Sequence, residues 1–128
     1  MKQKKILALA FLCLLGLTES PAQNHTNDSL MEKLTLTTEW DKTFPQSDKV
    51  SHCKVTFCNR YGITLAADLY KPKGATGPLP AIAVSGPFGA VKEQASGLYA
   101  QTLAERGFLT LAFDPSFTGE SGGQPRSV

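Results

Sequence analysis

The sequence predicts an α/β fold: a β-hairpin followed by a βαβ unit on a mostly parallel sheet, incomplete within its 128 residues. Three observations carry this. Residues 50–69 alternate with period two around one short turn, residues 81–84 and 108–113 are nearly unbroken apolar runs, and a stretch at helical spacing lies between those runs.

The first residues stand apart. Lys2, Lys4 and Lys5 precede an apolar run from Ile6 to Leu17, and Ser20-Pro21-Ala22 supplies small residues for cleavage. This predicts a signal peptide over residues 1–22 and a secreted or periplasmic protein. A run of twelve spans only ~18 Å as a helix, against ~30 Å of hydrocarbon. No membrane association beyond the signal peptide is expected, and Leu12 before Cys13 disfavours a lipoprotein. Three of the thirteen basic and one of the eleven acidic residues fall in this piece, so ten of each remain. A balanced chain of that kind has no electrostatic footprint for nucleic acid.

Residues 23–49 form a polar lead-in whose Trp40 and Phe44 pack against the domain. From residue 50 to 128 runs the predicted domain segment. Cys53, Val55 and Phe57 alternate with His52, Lys54 and Thr56; after Asn59–Gly62, Ile63, Leu65, Ala67 and Leu69 alternate again. Cys53 and Cys58, on one strand at odd spacing, lie ~17 Å apart on opposite faces and cannot bridge. No metal site is expected, since His25 and His52 stand at no ligand spacing from the thiols.

"KPKGATGPLP" is a loop with two glycines and three prolines. The apolar runs after it read as parallel strands covered on both faces. Between them Ala95, Leu98, Tyr99, Thr102 and Leu103 recur at helical spacing, within a helix from Lys92 to Arg106 that Gly107 ends. One helix covers only one face, so the expectation is a fragment of a larger sheet.

"DPSFTGESGGQP" raises the question of a nucleophile, because Gly119 to Gly123 fit G-x-S-x-G. An elbow serine directly follows a strand and opens a helix. Ser121 lies eight residues beyond Phe113 and precedes Gly122-Gly123-Gln124-Pro125, so it reads as a loop residue. The same letters are similar to G-D-S-G-G-P of chymotrypsin-like proteases, and His52, Asp68 or Asp114, and Ser121 occur in the matching order. That alternative requires two β-barrels, for which 69 residues between His52 and Ser121 are too few.

The stretches "FPQSDKVSHCKVTFCNRYGITLAADLYKPKG" and "PAIAVSGPFGAVKEQASGLYAQTLAERGFLTLAFDPSFTGESGG" resemble the N-terminal part of α/β-hydrolases, especially secreted members of the dienelactone-hydrolase and acyl-peptidase-like group. The resemblance covers about residues 40–126. Its marks are the loop after the third strand, G-H-P-x-G-G-V-K-E-Q in relatives, and the D-x-x-G-x-G-x-S-x-G loop after the fourth, matched here by Asp114, Gly119, Ser121 and Gly123. Glu120 and an extra residue before Gly119 loosen the second match. Gly86 stands where relatives often carry histidine, and Ala90 where they often carry glycine.

The resemblance implies strand order 1-2-4-3 and cleavage of an ester, thioester or peptide bond through an acyl-enzyme, with no cofactor. It implies a small-molecule or peptide ester or amide as partner. The nucleophile, serine or cysteine, the acid and the histidine all follow later in the family and are missing from this chain. What it places here is half an oxyanion hole. Pro87 has no N–H to give, so Phe88 is the expected backbone donor, with Gly89 and Lys92 as substrate-binding positions. Lys92 faces either the active-site mouth or solvent. The alternative to an enzyme is a catalytically silent truncated binding module or a gene-fragment product.

Overall fold

The computed structural model describes residues 31–124. The signal peptide expected over residues 1–22 lies outside the described residues. Among the described residues, no helix is long and apolar enough to cross a membrane.

Four strands and one helix follow in the order β1 (Val50–Cys58), β2 (Thr64–Pro72), β3 (Ala81–Ser85), α1 (Ala95–Ala104) and β4 (Leu109–Phe113). The sheet order is β1-β2-β4-β3, which places β3 at an edge. β1 pairs antiparallel with β2, and β2 antiparallel with β4; only β3 and β4 are parallel. The mostly parallel sheet is thereby corrected for the described residues to a mixed sheet with one parallel pair. The hairpin strands count as much as the crossover strands in so short a segment, and a direct turn can join only antiparallel neighbours.

The hairpin turn has a local cause. Asn59 folds its side chain back so that Oδ1 accepts from the amides of Tyr61 (2.9 Å) and Ile63 (3.1 Å). Gly62 then takes φ +78°, where a side chain is disfavoured. β1 fills the expected span up to the turn, and β2 runs three residues past Leu69 to Pro72, because Lys73 N–H still bonds Lys49 C=O.

The core lies between α1 and one face of the sheet. Tyr70, Ala100, Ala104 and Ala112 are fully buried there with Val50, and Trp40 and Val84 pack against them. Trp40 Nε1 donates to Phe44 C=O at 2.8 Å and the two rings meet edge to face, while Trp40 packs on the core and against His52 and the buried Phe44 ring lies next to Gly97. Burying Tyr70 leaves its hydroxyl with no hydrogen-bond partner among the described residues.

The helix turns the opposite way from the expectation. Its buried positions are Ser96, Gly97, Ala100, Gln101 and Ala104, whereas Leu98 and Tyr99 are exposed. Small residues let α1 sit close enough for Thr110 Oγ1 to donate to Ala100 C=O at 2.8 Å. A Cβ on Gly97 would stand 2.2 Å from Lys92 C=O. The helix also starts three residues late, because Lys92–Gln94 form a turn. It ends at Ala104, two residues before the expected Arg106, and a turn closes it at the expected glycine: Phe108 N–H bonds Leu103 C=O, Gly107 N–H bonds Ala104 C=O, and Gly107 takes φ +101°.

The sheet's other face lacks a helix among the described residues. Leu69, Leu109 and Leu111 line a shallow apolar hollow of ≈ 400 Å³ there, beside the exposed Ala81 and Ala83. Cys53 and Cys58 are both free thiols, as their spacing requires.

Candidate functional site

Two loops leave the same end of the parallel pair, one from β3 and one from β4. In open α/β sheets ligands bind outside the carboxyl ends of the strands, in the crevice between such loops. Here they enclose a groove of ≈ 580 Å³, lined by Phe88, Gly89 and Val91 from the first and by Phe117, Thr118 and Gly119 from the second, with Ser116 beside them.

The first loop is built around a tight turn. Ala90 N–H bonds Pro87 C=O at 3.0 Å, and Gly89 takes φ +81° at the third position, as a type II turn requires. The amide of Phe88 has no hydrogen-bond partner among the described residues. Gly86 and Ala90 fit each other: a Cβ on Gly86 would lie 3.0 Å from the Ala90 methyl. Room at position 86 is therefore limited by the residue at position 90.

Asp114, at the end of β4 and fully buried, fastens both loops. Its Oδ1 accepts from the Lys92 amide at 2.7 Å; its Oδ2 accepts from Lys92 Nζ at 2.8 Å and from the Glu120 amide at 3.0 Å. Gly119, at φ +55°, leaves room for that carboxylate, since a Cβ there would come within 2.3 Å of Oδ2.

Lys92 is a correction. Its side chain is fully buried and faces neither a mouth nor solvent. Nζ is held by Asp114, by Glu120 Oε2 at 2.7 Å and by Glu93 Oε1. A buried ammonium is stable only when so paired. Desolvation pushes its pKa down, but the hydrogen bonds it donates to Asp114, Glu120 and Glu93 outweigh that and hold it above the usual lysine value. Lys92 thus positions the loop from beneath, while Gly89 lines the groove.

Around Lys92 spreads a network that the sequence did not announce. Lys54 Nζ donates to Asp41 Oδ2 at 2.7 Å and Glu120 Oε2 at 2.6 Å. Lys42 Nζ lies 3.1 Å from Asp68 Oδ2, and His52 Nε2 lies 2.7 Å from Asp68 Oδ1. Burial alone would raise Asp41 and Glu120, but hydrogen bonds from Lys42 and Lys54 to the first, and from Lys54 and Lys92 to the second, bring each down to about 2. Asp41, Glu93 and Glu120 place carboxylate oxygens within 4.8 Å of one another, a spacing a cation would accept. Lys54 and Lys92 already supply the positive charge there.

A usable signal existed. Lys54 is the cross-strand partner of Asp68, and His52 and Lys54 share the strand face opposite Cys53 and Val55. Read as the wet face, it is the one covered by the lead-in and α1.

Ser121 belongs to the framework. Its Oγ donates to Asp114 C=O at 2.8 Å and accepts from Ala66 N–H at 2.9 Å, and no helix follows through residue 124. The loop reading therefore holds against the elbow. The protease alternative does place His52 on Asp68, but the Ser121 proton goes to a carbonyl and not to His52.

No family model matches the sequence. The uncharacterized protein PA2218 of Pseudomonas aeruginosa is 67% identical over 127 residues, covering 96% of this chain and 34% of that protein. The uncharacterized protein YcjY of Escherichia coli K12 is 48% identical over 79 residues, covering 59% of this chain and 26% of that protein. The crystal structure of hypothetical protein PA2218 superposes with a TM-score of 0.73 at 76% identity, over 76% of this chain and 30% of that one. DcsB, solved in complex with its substrate analogue, gives a TM-score of 0.52 at 30% identity, over 59% of this chain and 25% of that one. The chain thus spans about a third or less of the relatives it matches.

Proposed function

We propose that this chain is the N-terminal part of an α/β-hydrolase that cleaves an ester, thioester or peptide bond through an acyl-enzyme, and that it contributes half of the oxyanion hole. The observation that carries the reading is the Phe88 amide: it is unpartnered among the described residues, sits in a tight turn, and belongs to a groove at the carboxyl ends of two parallel strands. A preorganised backbone N–H in such a place stabilises the oxyanion of a tetrahedral intermediate without reorganising. The sheet order matches the one the resemblance implies. The nucleophile, acid and histidine would come from sequence beyond residue 128 in a longer protein.

A chimera tests this, with the chain replacing the matching 127 residues of PA2218. It should hydrolyse p-nitrophenyl esters and should be labelled by a fluorophosphonate or by iodoacetamide at a residue contributed by PA2218. Labelling at Ser121, or neither turnover nor labelling in a folded chimera, would reject the reading; the latter favours a silent binding module. We further propose export, with cleavage after Ala22. Mass spectrometry of protein from the native host should find a first residue at or near Gln23, and intact Met1 in the cytosol would exclude it.

A further inference from the structure

The groove between the two loops carries marks that the oxyanion hole does not use. Phe117 has φ +67°, a left-handed conformation that bulky residues rarely adopt. It is held there by its amide, which bonds Gly122 C=O at 3.1 Å, and by Gly123, where a Cβ would come within 2.4 Å of the Phe117 ring. Residues kept in such costly conformations cluster at ligand sites. On the other wall Phe88 is 94% exposed. A lone exposed ring needs no explanation, but this one lines the same groove as the strained one.

Charge is the third mark. The residues lining the groove include no ionisable side chain. Lys92, Glu93, Asp114 and Glu120, which flank the lining positions in sequence, pair with one another: Lys92 meets all three carboxylates. A carboxylate entering the groove would lose hydration and find no cation, whereas an aryl or alkyl group would gain contact with two rings and Val91.

We infer that the groove binds an uncharged aryl or apolar acyl group against Phe88 and Phe117, with its carbonyl oxygen at the Phe88 amide. The substrates are then neutral esters or thioesters of such acids, and not of acids bearing a second carboxylate. The word substrate rests on the hydrolase reading; the binding does not, because it needs no nucleophile.

The probes are phenylacetone, a neutral ketone that cannot be hydrolysed, and phenylacetate, its charged counterpart. Both are titrated calorimetrically into the PA2218 chimera, in which the remaining strands cover the sheet. Phenylacetone should bind saturably, about tenfold more weakly in Phe88→Ala and in Phe117→Gly, and phenylacetate should bind at least about tenfold more weakly than the ketone. Phe88→Ala removes an exposed ring, and glycine at 117 suits the positive φ; circular dichroism and urea melts check that both variants keep the fold. In the chimera, the two variants should lower kcat/KM for p-nitrophenyl phenylacetate more than for p-nitrophenyl acetate. Equal binding of the acid, ketone binding untouched by both variants, or no ketone binding to the chimera would overturn the inference. Ketone binding with the expected losses in a chimera that hydrolyses nothing would sink the hydrolase reading alone. Ester turnover indifferent to both phenylalanines would sink this one alone.

Discussion

The hydroxyl of Ser121 bridges the carbonyl of Asp114 and the amide of Ala66, joining the residue that follows β4 to the first part of β2. Replacing it with alanine removes one partner from a buried amide, which costs about 1–3 kcal/mol. Ser121→Ala in the PA2218 chimera should therefore lower the unfolding free energy from urea melts by that amount, with the midpoint falling in proportion. It should leave fluorophosphonate or iodoacetamide labelling in place.

Lys92→Met should be more damaging. It strips the fully buried Asp114 of its counter-ion, and breaking one side of a buried pair costs about 3–5 kcal/mol. Adding Asp114→Asn removes the orphaned charge and should recover part of the loss. Urea melts of the single and double variants measure both; a double variant worse than the sum of the singles would refute the pairing.

The acid side of the stability profile follows from Glu120 and Asp41. Both carboxyls drop to about 2 in the fold, from ordinary values of 4.5 and 3.8. Their stabilisation is full above pH 4.5 and is lost as pH falls from there towards 2. Thermal melts of the chimera should decline across that window, less steeply in Glu120→Gln and Asp41→Asn. Lys54 and Lys92 are raised, so their contribution persists to the ordinary lysine value of 10.5 and is lost only above it.

Strand β3 is short, uncharged and at the sheet's edge, beside an apolar face that α1 does not cover. Such edges pair with other chains. The 128-residue chain by itself should self-associate in light scattering, and Ala83→Lys, on the exposed face of β3, should reduce it. A monomeric chain that melts cooperatively would count against this.

The strands were legible because period-two alternation and unbroken apolar runs are local signals, and the hairpin turn was legible because Asn59 and Gly62 act within five residues. The helix was placed but not oriented. Large side chains at Leu98, Tyr99 and Leu103 suggested its inner face, while close approach to the sheet selected Ser96, Gly97 and Ala100. The charge network was hidden for another reason: Lys92 meets Asp114 and Glu120 across 22 and 28 residues, and no local pattern records that distance. Phe88 was nameable from the turn chemistry of Pro87, whereas the strain at Phe117 required its backbone angle.

The fit between Gly86 and Ala90 makes the two sites one decision. With 3.0 Å between the methyl of one and the Cβ position of the other, a side chain at position 86 obliges its neighbour to give way by a few tenths of an ångström. The effect of a substitution at either position is therefore set by the residue standing at the other.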